Sequence, residues 1–290
     1  KGARGILEWT AGEVRRYSEM GGVVALGIGF GGPVESETGQ ALVSHQIEGW
    51  ENVPIRHWFQ ERFQVPVVVA NDANASGWAE YCLGAGQGTR QFMYMNIGSG
   101  IGGAWVVNGA LYDGQGRGAC EIGHTWVPDW TVSEPGAVDK LENLCSGWAI
   151  ERRLRTLSGL EPDCALYRLC EGNVQMLTCA LLAEAARQGD RQALAEIDQI
   201  ARTLGIALGN AVTLFHPQRI ALGGGVSLMG EVLLRPLREH LALRTFGPYR
   251  DTVHLEPCAL GEDVVVVGAL LLAGKQASPG LGGGEGPLRA

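Results

Sequence analysis

Hydrophobic and polar positions change their period several times along the chain, and each change marks an element. Residues 23–30 form a short apolar run closed by Gly31-Gly32-Pro33, which predicts a strand and a turn. Pro54 predicts the opening of a helix through Gln60 and Phe63, and residues 65–70 follow as a compact β-rich run. The next helix starts just after Asn71-Asp72 and continues through Ala79 and Leu83. That pair therefore stands at a strand-to-helix junction, where open α/β sheets place their chemistry. Residues 92–97 predict a strand, GSGIGG a turn, and residues 104–107 its continuation, with Asn108-Gly109 as a hairpin signal. From residue 138 to about 157, and from 173 to about 215, helical periodicity rich in Ala and Leu dominates. Residues 219–222 then predict a short strand, Gly223–Gly225 a permissive turn, 229–243 a helix and 262–275 the last helix. A Gly/Pro-rich tail follows and is expected to be mobile. The first 22 residues are too short and mixed to define a domain.

This order predicts an α/β protein with a central change of character. A boundary near residue 90 fits it, since βα units precede that point and a long helical stretch follows. Composition narrows the classes further. Twenty-three Lys and Arg against thirty-one Asp and Glu, a net charge of -8, give no general reason to hold nucleic acid or an anionic membrane. The seven cysteines form no close metal pair and cannot all be paired within one chain, so reduced, cytosolic thiols are expected. The longest apolar run, residues 264–274, is too short to cross about 30 Å of hydrocarbon, and the opening residues show no signal-peptide pattern. A soluble, cytoplasmic protein is the expectation. The forty-four glycines cluster beside the strand-like segments and draw the eye to their turns.

Several of these places can carry chemistry, and each has a plainer reading beside it. Asp72 can take a proton from a hydroxyl that Asn71 orients, or it can cap the following helix. The turn Asn96-Ile97-Gly98-Ser99-Gly100-Ile101-Gly102-Gly103 can turn amides toward an anion, or can be a hairpin without a ligand. The LGGGVSLMGE turn at Gly223, Gly224 and Gly225 can crowd backbone against a base or phosphate, or can simply begin a helix. Glu121 and His124, with Glu142 after an interval, can ring a polyhydroxylated ligand. A satisfied structural histidine is the plainer reading of His124, and one histidine without nearby cysteines is weak support for a metal. Trp126, Trp130 and Trp148 can line a sugar pocket, although apolar packing is expected of each.

Taken in order, GIGFGGPVESETG, GWENVPI, VPVVVANDANASGWAE, NIGSGIGGAWVVNGALYDG, GACEIGH, LENLCSG and IALGGGV resemble the ROK family of bacterial sugar kinases and repressors. The resemblance spans residues 27–274. It implies an actin-like, ribonuclease-H-like fold of two α/β domains closing over a cleft. A small domain over residues 1–90, expected to be incomplete at its N-terminus, is rejoined by the helix 262–275. A larger domain covers 91–261, and 276–290 is a flexible tail. The resemblance also implies an ATP-dependent hexose kinase, with glucose as the leading substrate and Asp72 as general base. Asn71, Glu121, His124 and Glu142 would hold sugar hydroxyls. Gly98, Ser99, Gly100 and Gly102 would face the ATP phosphates, and Gly223, Gly224 and Gly225 would approach the nucleotide. Mg²⁺ would accompany ATP, and a homodimer is implied. A sugar-responsive regulator and a non-catalytic sugar-binding protein are the other classes the resemblance admits.

The chain departs from the family pattern in three places. Nothing before Val23 matches the DxGGT-type phosphate and magnesium motif that the family carries upstream of the GPV turn. The cysteine-rich zinc segment is replaced by VPDWTVSEPGAVDKLE, so no structural zinc is expected. Gln46 stands where the family often has Asn in a sugar-binding segment, and Ser99 replaces the commoner Thr of the phosphate turn.

Overall fold

The computed structural model describes residues 2–44 and 47–277. Gln46 and residues 278–290, most of the tail expected to be mobile, lie outside the described residues. The opening segment, unassigned from the sequence, is helix α1 (Gly2–Gly21). It buries Ala3, Leu7 and Ala11, which at four-residue spacing stack on one face. β1 (Leu26–Phe30) leads through the Gly31-Gly32 bend into an antiparallel ribbon of β2 (Val34–Glu35) and β3 (Gln40–Ala41). After α2 (Ile55–Phe63), β4 (Val67–Asn71) returns parallel to β1 and sets Asn71 opposite Phe30. Helix α3 (Asp72–Leu83) leaves β4 without an intervening loop.

β5 (Gln91–Ile97), β6 (Ile101–Val107) and β7 (Ala110–Leu111) form an antiparallel meander. Asn108 and Gly109 take φ of 50° and 82°, the two positive values that a type I′ turn needs. β8 (Trp126–Pro128) pairs with β9 (Val138–Lys140), so the three residues expected to open a helix form a strand instead. Their ladder to β8 overrides local helix compatibility. Helices α4 (Leu141–Cys145) and α5 (Gly147–Leu154) begin only afterwards.

Helix α6 (Ala165–Leu169) is too short for its periodicity to show. The helical stretch expected over 173–215 divides into a 3-10 turn, α7 (Cys179–Arg187) and α8 (Arg191–Phe215). Gly189 at φ 81° breaks it, and Asp190 caps α8 through the N–H groups of Gln192 and Ala193. β10 (Arg219–Gly223), α9 (Glu231–Arg244), the unanticipated β11 (His254–Pro257) and α10 (Val264–Ala277) complete the chain. A 3-10 turn over Gly261–Asp263 takes the residues expected to start the last helix.

The main sheet has the order β11-β10-β5-β6-β7, with β11, β10 and β5 parallel. β5 reads as a continuous apolar run because both of its faces are covered. Met93, Met95 and Ile97 enter the large core built with α4, α5, α7, α8 and α9, while Phe92 and Tyr94 meet α3. A separate core joins α1, α2, β1 and β4 through Leu7, Phe30, Ile55, Phe59 and Val67. Helix α10 packs on β1 and α3 at backbone distance. A Cβ on Gly27 would stand 2.0 Å from the Ala269 carbonyl oxygen, and one on Gly268 would stand 1.8 Å from that of Ala75. Helix α3, with Asp72 at its tip, is therefore held between α10 and the main sheet.

Candidate active site

The strand-to-helix junction is built by Asn71, not by Asp72. Asn71 Oδ1 accepts the N–H groups of Ala73 (2.9 Å) and Asn74 (3.2 Å), and Nδ2 donates to the Gly32 carbonyl at 3.0 Å. One residue thus caps α3 and fixes the bend after β1. Asp72, the first helical residue, is relieved of the capping role. Its Oδ1 accepts the adjacent Ala73 N–H at 2.8 Å, while Oδ2 faces Gly31. Burial raises the Asp72 carboxyl above the usual carboxylate range, against the opposing bonds from Ala73, its own N–H and Asn71.

The glycine turn between β5 and β6 is clamped from three sides. Gly98 N–H donates to the Gly100 carbonyl at 2.9 Å, Gly102 N–H to Asn96 Oδ1 at 2.9 Å, and Ile101 N–H to Glu142 Oε2 at 2.8 Å. Gly147 N–H, in the first turn of α5, closes on the Gly98 carbonyl at 2.7 Å. These bonds leave the Ser99 and Gly100 N–H groups, with the exposed Ser99 hydroxyl, at the open tip. The second glycine turn lies directly behind the first. Gly224 takes φ 82°, and a Cβ there would stand 2.6 Å from the Ile97 carbonyl, so only glycine fits.

A cavity of about 350 Å³ runs from Asp72, past Ser76, Tyr94 and Asn96, to Gly223–Gly225 and Ser227, with Pro257, Cys258, Gly261 and Glu262 as its far wall. Asp72 and the second glycine turn therefore share one space. The other expected ligand residues, Glu121, His124 and Glu142, and the Gly98–Gly102 turn are not among its lining residues, and Glu121 lines a separate cavity of about 230 Å³ beside Met93 and Trp105. Glu121 precedes the 3-10 turn Ile122–His124, whose Gly123 lies so close to Ile101 that a Cβ would stand 2.2 Å from its carbonyl oxygen. Burial raises the Glu121 carboxyl, His124 opposes the shift, and the charges of Asp72 and Glu142 add to it. The charges of His124, Asp72 and Glu142 thus reach Glu121. His124 Nδ1 lies 3.2 Å from Lys140 Nζ.

Asn96, read from the sequence only as the first residue of the glycine turn, lines this cavity, and Lys140, which the sequence did not single out, stands beside His124. A polar residue ending a buried strand was the available signal for Asn96, while nothing local marks Lys140, which arrives on β9. Trp126 and Trp148, expected to pack, are 63% and 71% exposed. Trp130 instead lies under the Arg153 guanidinium, 4.6 Å from its ring centre. Among the described residues, no three His, Cys, Asp or Glu side chains gather where they could hold a metal ion. Cys145 is buried on α4, and Cys120 lies against Gly103 with φ 65°.

Residues 6–276 match the ROK family. The chain is 32% identical to the glucokinase of Halalkalibacterium halodurans over 87% of its own length and 77% of that protein's. It is 30% identical to the xylose repressor of Caldicellulosiruptor bescii, again over 87% of its length but over 62% of the repressor's. In three dimensions it matches the ROK family glucokinase of Streptomyces griseus, solved with glucose and AMPPNP, with a TM-score of 0.78 and 32% identity. That match covers 94% of this chain and 89% of the other. The chain belongs to the ROK family and has its two-domain, actin-like and ribonuclease-H-like α/β fold with an interdomain cleft.

Proposed function

We propose that this ROK-family chain transfers the γ-phosphoryl group of ATP to a hexose, glucose first among them, with Asp72 as general base. The observation that carries the reading is the shared cavity. A half-buried carboxylate relieved of capping opens into the same space as a glycine turn that only backbone can approach. A general base works best when its pKa moves toward the working pH, and burial moves Asp72 in that direction.

In the reaction, Asp72 Oδ2 receives the proton of the attacking sugar hydroxyl. The hydroxyl oxygen bonds to the γ-phosphorus as the bond to the β,γ-bridging oxygen breaks, and ADP leaves. Asn71, its amide shared between the Gly32 carbonyl and the Asp72 carboxylate, borders the sugar, and Glu121, His124 and Glu142 hold hydroxyls. Ser99 and Gly100 offer N–H groups to phosphate oxygens, and the Gly223–Gly225 turn lets the nucleotide lie against backbone. Asp72 and Glu262 are the carboxylates that line the cavity, and a Mg²⁺ carried by the nucleotide would need only one or two protein carboxylates beside phosphates and water. Bound there, it offsets charge on the transferring oxygens. The proposal includes a domain division near residue 90, with α10 returning to the first part, and a cytoplasmic homodimer.

A regulator is the second reading, favoured by the similarity to the xylose repressor. ADP formation with ATP, Mg²⁺ and glucose, compared between the wild type and Asp72→Asn, separates the two. The kinase reading expects the variant to keep glucose affinity and lose about 10²- to 10⁴-fold in turnover, the range general-base catalysis supplies. Sugar binding without turnover by the wild type would favour the regulator, and near-wild-type turnover in Asp72→Asn would remove Asp72 from the mechanism.

A further inference from the structure

Glu80 lies on α3, eight residues beyond Asp72, and is fully buried. Its carboxylate accepts three backbone N–H groups, one of them shared between both oxygens. Oε1 receives the N–H groups of Ala259 and Leu260, both at 2.9 Å, and Oε2 receives those of Ala85 at 2.8 Å and Ala259 at 3.1 Å. Among the described residues no Lys, Arg or His forms an ion pair with it. Gly84 leaves the room it needs, since a Cβ there would stand 2.1 Å from Glu80 Oε2. A carboxylate taken from water without a cation is costly unless its lone pairs are satisfied, and an apolar side chain would fill the same space without that cost. Packing alone therefore does not account for Glu80. What the carboxylate does is join two places, the end of α3 and a loop 179 and 180 positions further along the chain.

That loop has a definite position. It follows β11 and leads through the 3-10 turn Gly261–Asp263 into α10; Ala259 and Leu260 stand between the residues on either side, Pro257 and Cys258 before them and Gly261 and Glu262 after them, that line the cavity Asp72 opens into. Resting on the kinase reading above, we infer that Glu80 is a positioning residue: it sets the nucleotide-side wall of the cleft in register with the helix that carries the general base. Of the sugar-facing groups, Glu121, His124 and Glu142 stand on other elements, and Asn71 and Asp72 are fixed at the opposite end of α3 by the bonds of Asn71 to Gly32, Ala73 and Asn74. Glu80 thus governs nucleotide affinity and leaves sugar affinity alone.

The test measures ATP and glucose affinity separately by calorimetry, with steady-state ADP formation alongside, for the wild type, Glu80→Gln and Glu80→Asp. Glutamine keeps the size but sets an NH₂ group against N–H donors, so the Kd and KM for ATP should rise about tenfold, as loss of a hydrogen bond to a charged group does. Glucose Kd should stay within about twofold, and Glu80→Asp, which keeps the charge, should recover part of the loss. Unchanged ATP affinity in Glu80→Gln, or an equal loss of ATP and glucose affinity, overturns the inference. Should Glu80→Gln fail to fold, Glu80→Asp carries the same comparison: weakened ATP with preserved glucose supports the inference, and any other pattern overturns it. A wild type that binds glucose but no ATP overturns the kinase reading, and this inference with it.

Discussion

Replacing Gly268 by alanine sets helix propensity against packing, and the structure decides which wins. Alanine is favoured over glycine inside a helix by about 0.8–1.0 kcal/mol, and Gly268 lies within α10. A Cβ there would, however, stand 1.8 Å from the Ala75 carbonyl oxygen and 2.4 Å from its carbon. Both atoms are backbone of α3, so no side chain can rotate away, and the two helices must part by more than an ångström. The opposite approach is closed as well, because Gly27 of β1 meets the Ala269 carbonyl just as tightly. Overpacking costs about 1–3 kcal/mol in ordinary cores and more where the wall is rigid. Taking the upper end, about 3 kcal/mol, against a propensity gain of about 1 leaves a net loss of about 2 kcal/mol. At about 2–4 °C per kcal/mol for a chain of this class, Tm should fall by about 4–8 °C in thermal unfolding followed by circular dichroism. Gly12→Ala is the control. Gly12 lies in α1 with nothing within 4 Å of its Cβ position, so the same change should raise Tm by about 2–4 °C. A Gly268→Ala protein as stable as the wild type would refute the close packing of α10 on α3.

Three further outcomes are expected. Because burial raises the Asp72 carboxyl in the folded state, the protonated form is the one folding favours, so this group's contribution to stability is full below the ordinary carboxyl pKa of about 3.9 and is lost as pH rises through the raised value. Asp72→Asn should therefore have a higher Tm than the wild type at pH 7, with the difference vanishing below about pH 3.9; a constant difference across pH would show that ionisation is not its source. Among glucose, fructose, mannose, galactose, N-acetylglucosamine and N-acetylmannosamine, glucose should give the highest kcat/KM, since a fixed ring of donors and acceptors rejects a sugar that leaves one unpaired; another preferred sugar overturns the glucose assignment but keeps the kinase class. Purified protein should hold less than one zinc per chain and keep its fold after chelation, because burial pushes the Cys120 and Cys145 thiols up to about 12, away from ligand thiolates; one tight zinc per chain, with unfolding on chelation, would defeat this expectation.

The fold was legible wherever a local pattern had one explanation. Pro54 before α2, the Asn108-Gly109 turn and the apolar runs of β1, β4, β5 and β10 each fix a backbone state within a few residues, and the structure has them where they were read. Illegible elements had their signal elsewhere. β9 is a strand only because β8 lies beside it, and β11 is a four-residue edge whose partner Arg219–Leu222 is 35 positions earlier in register. Helix α1 hid for a different reason. Its buried face is only Ala3, Leu7 and Ala11, while Trp9, Tyr17 and Met20 are exposed, so its apolar residues do not mark its inner side.

In the candidate site the same limit applies to roles more than to residues. Asn71, Asp72 and Glu142 could all be named from the sequence as polar groups beside glycine-rich turns, but polarity does not say how many lone pairs remain for a ligand. The structure counts them. Asn71 Oδ1 already holds two N–H groups, Asp72 has one oxygen toward the cavity, and one oxygen of Glu142 holds Ile101 at the base of the phosphate turn. Glu142 can therefore bind a sugar hydroxyl only through its remaining acceptor capacity, and any pull on that carboxylate is felt at Ile101, two residues from Ser99. Glu80 extends the point: an acidic residue in the middle of a helix reads as a solvated face, and only the loop that returns 179 residues later shows what it grips. The residues proposed to touch ligands sit at element ends, where sequence signals are strong; residues that hold those ends in place draw their partners from across the chain, so their function enters only with the fold.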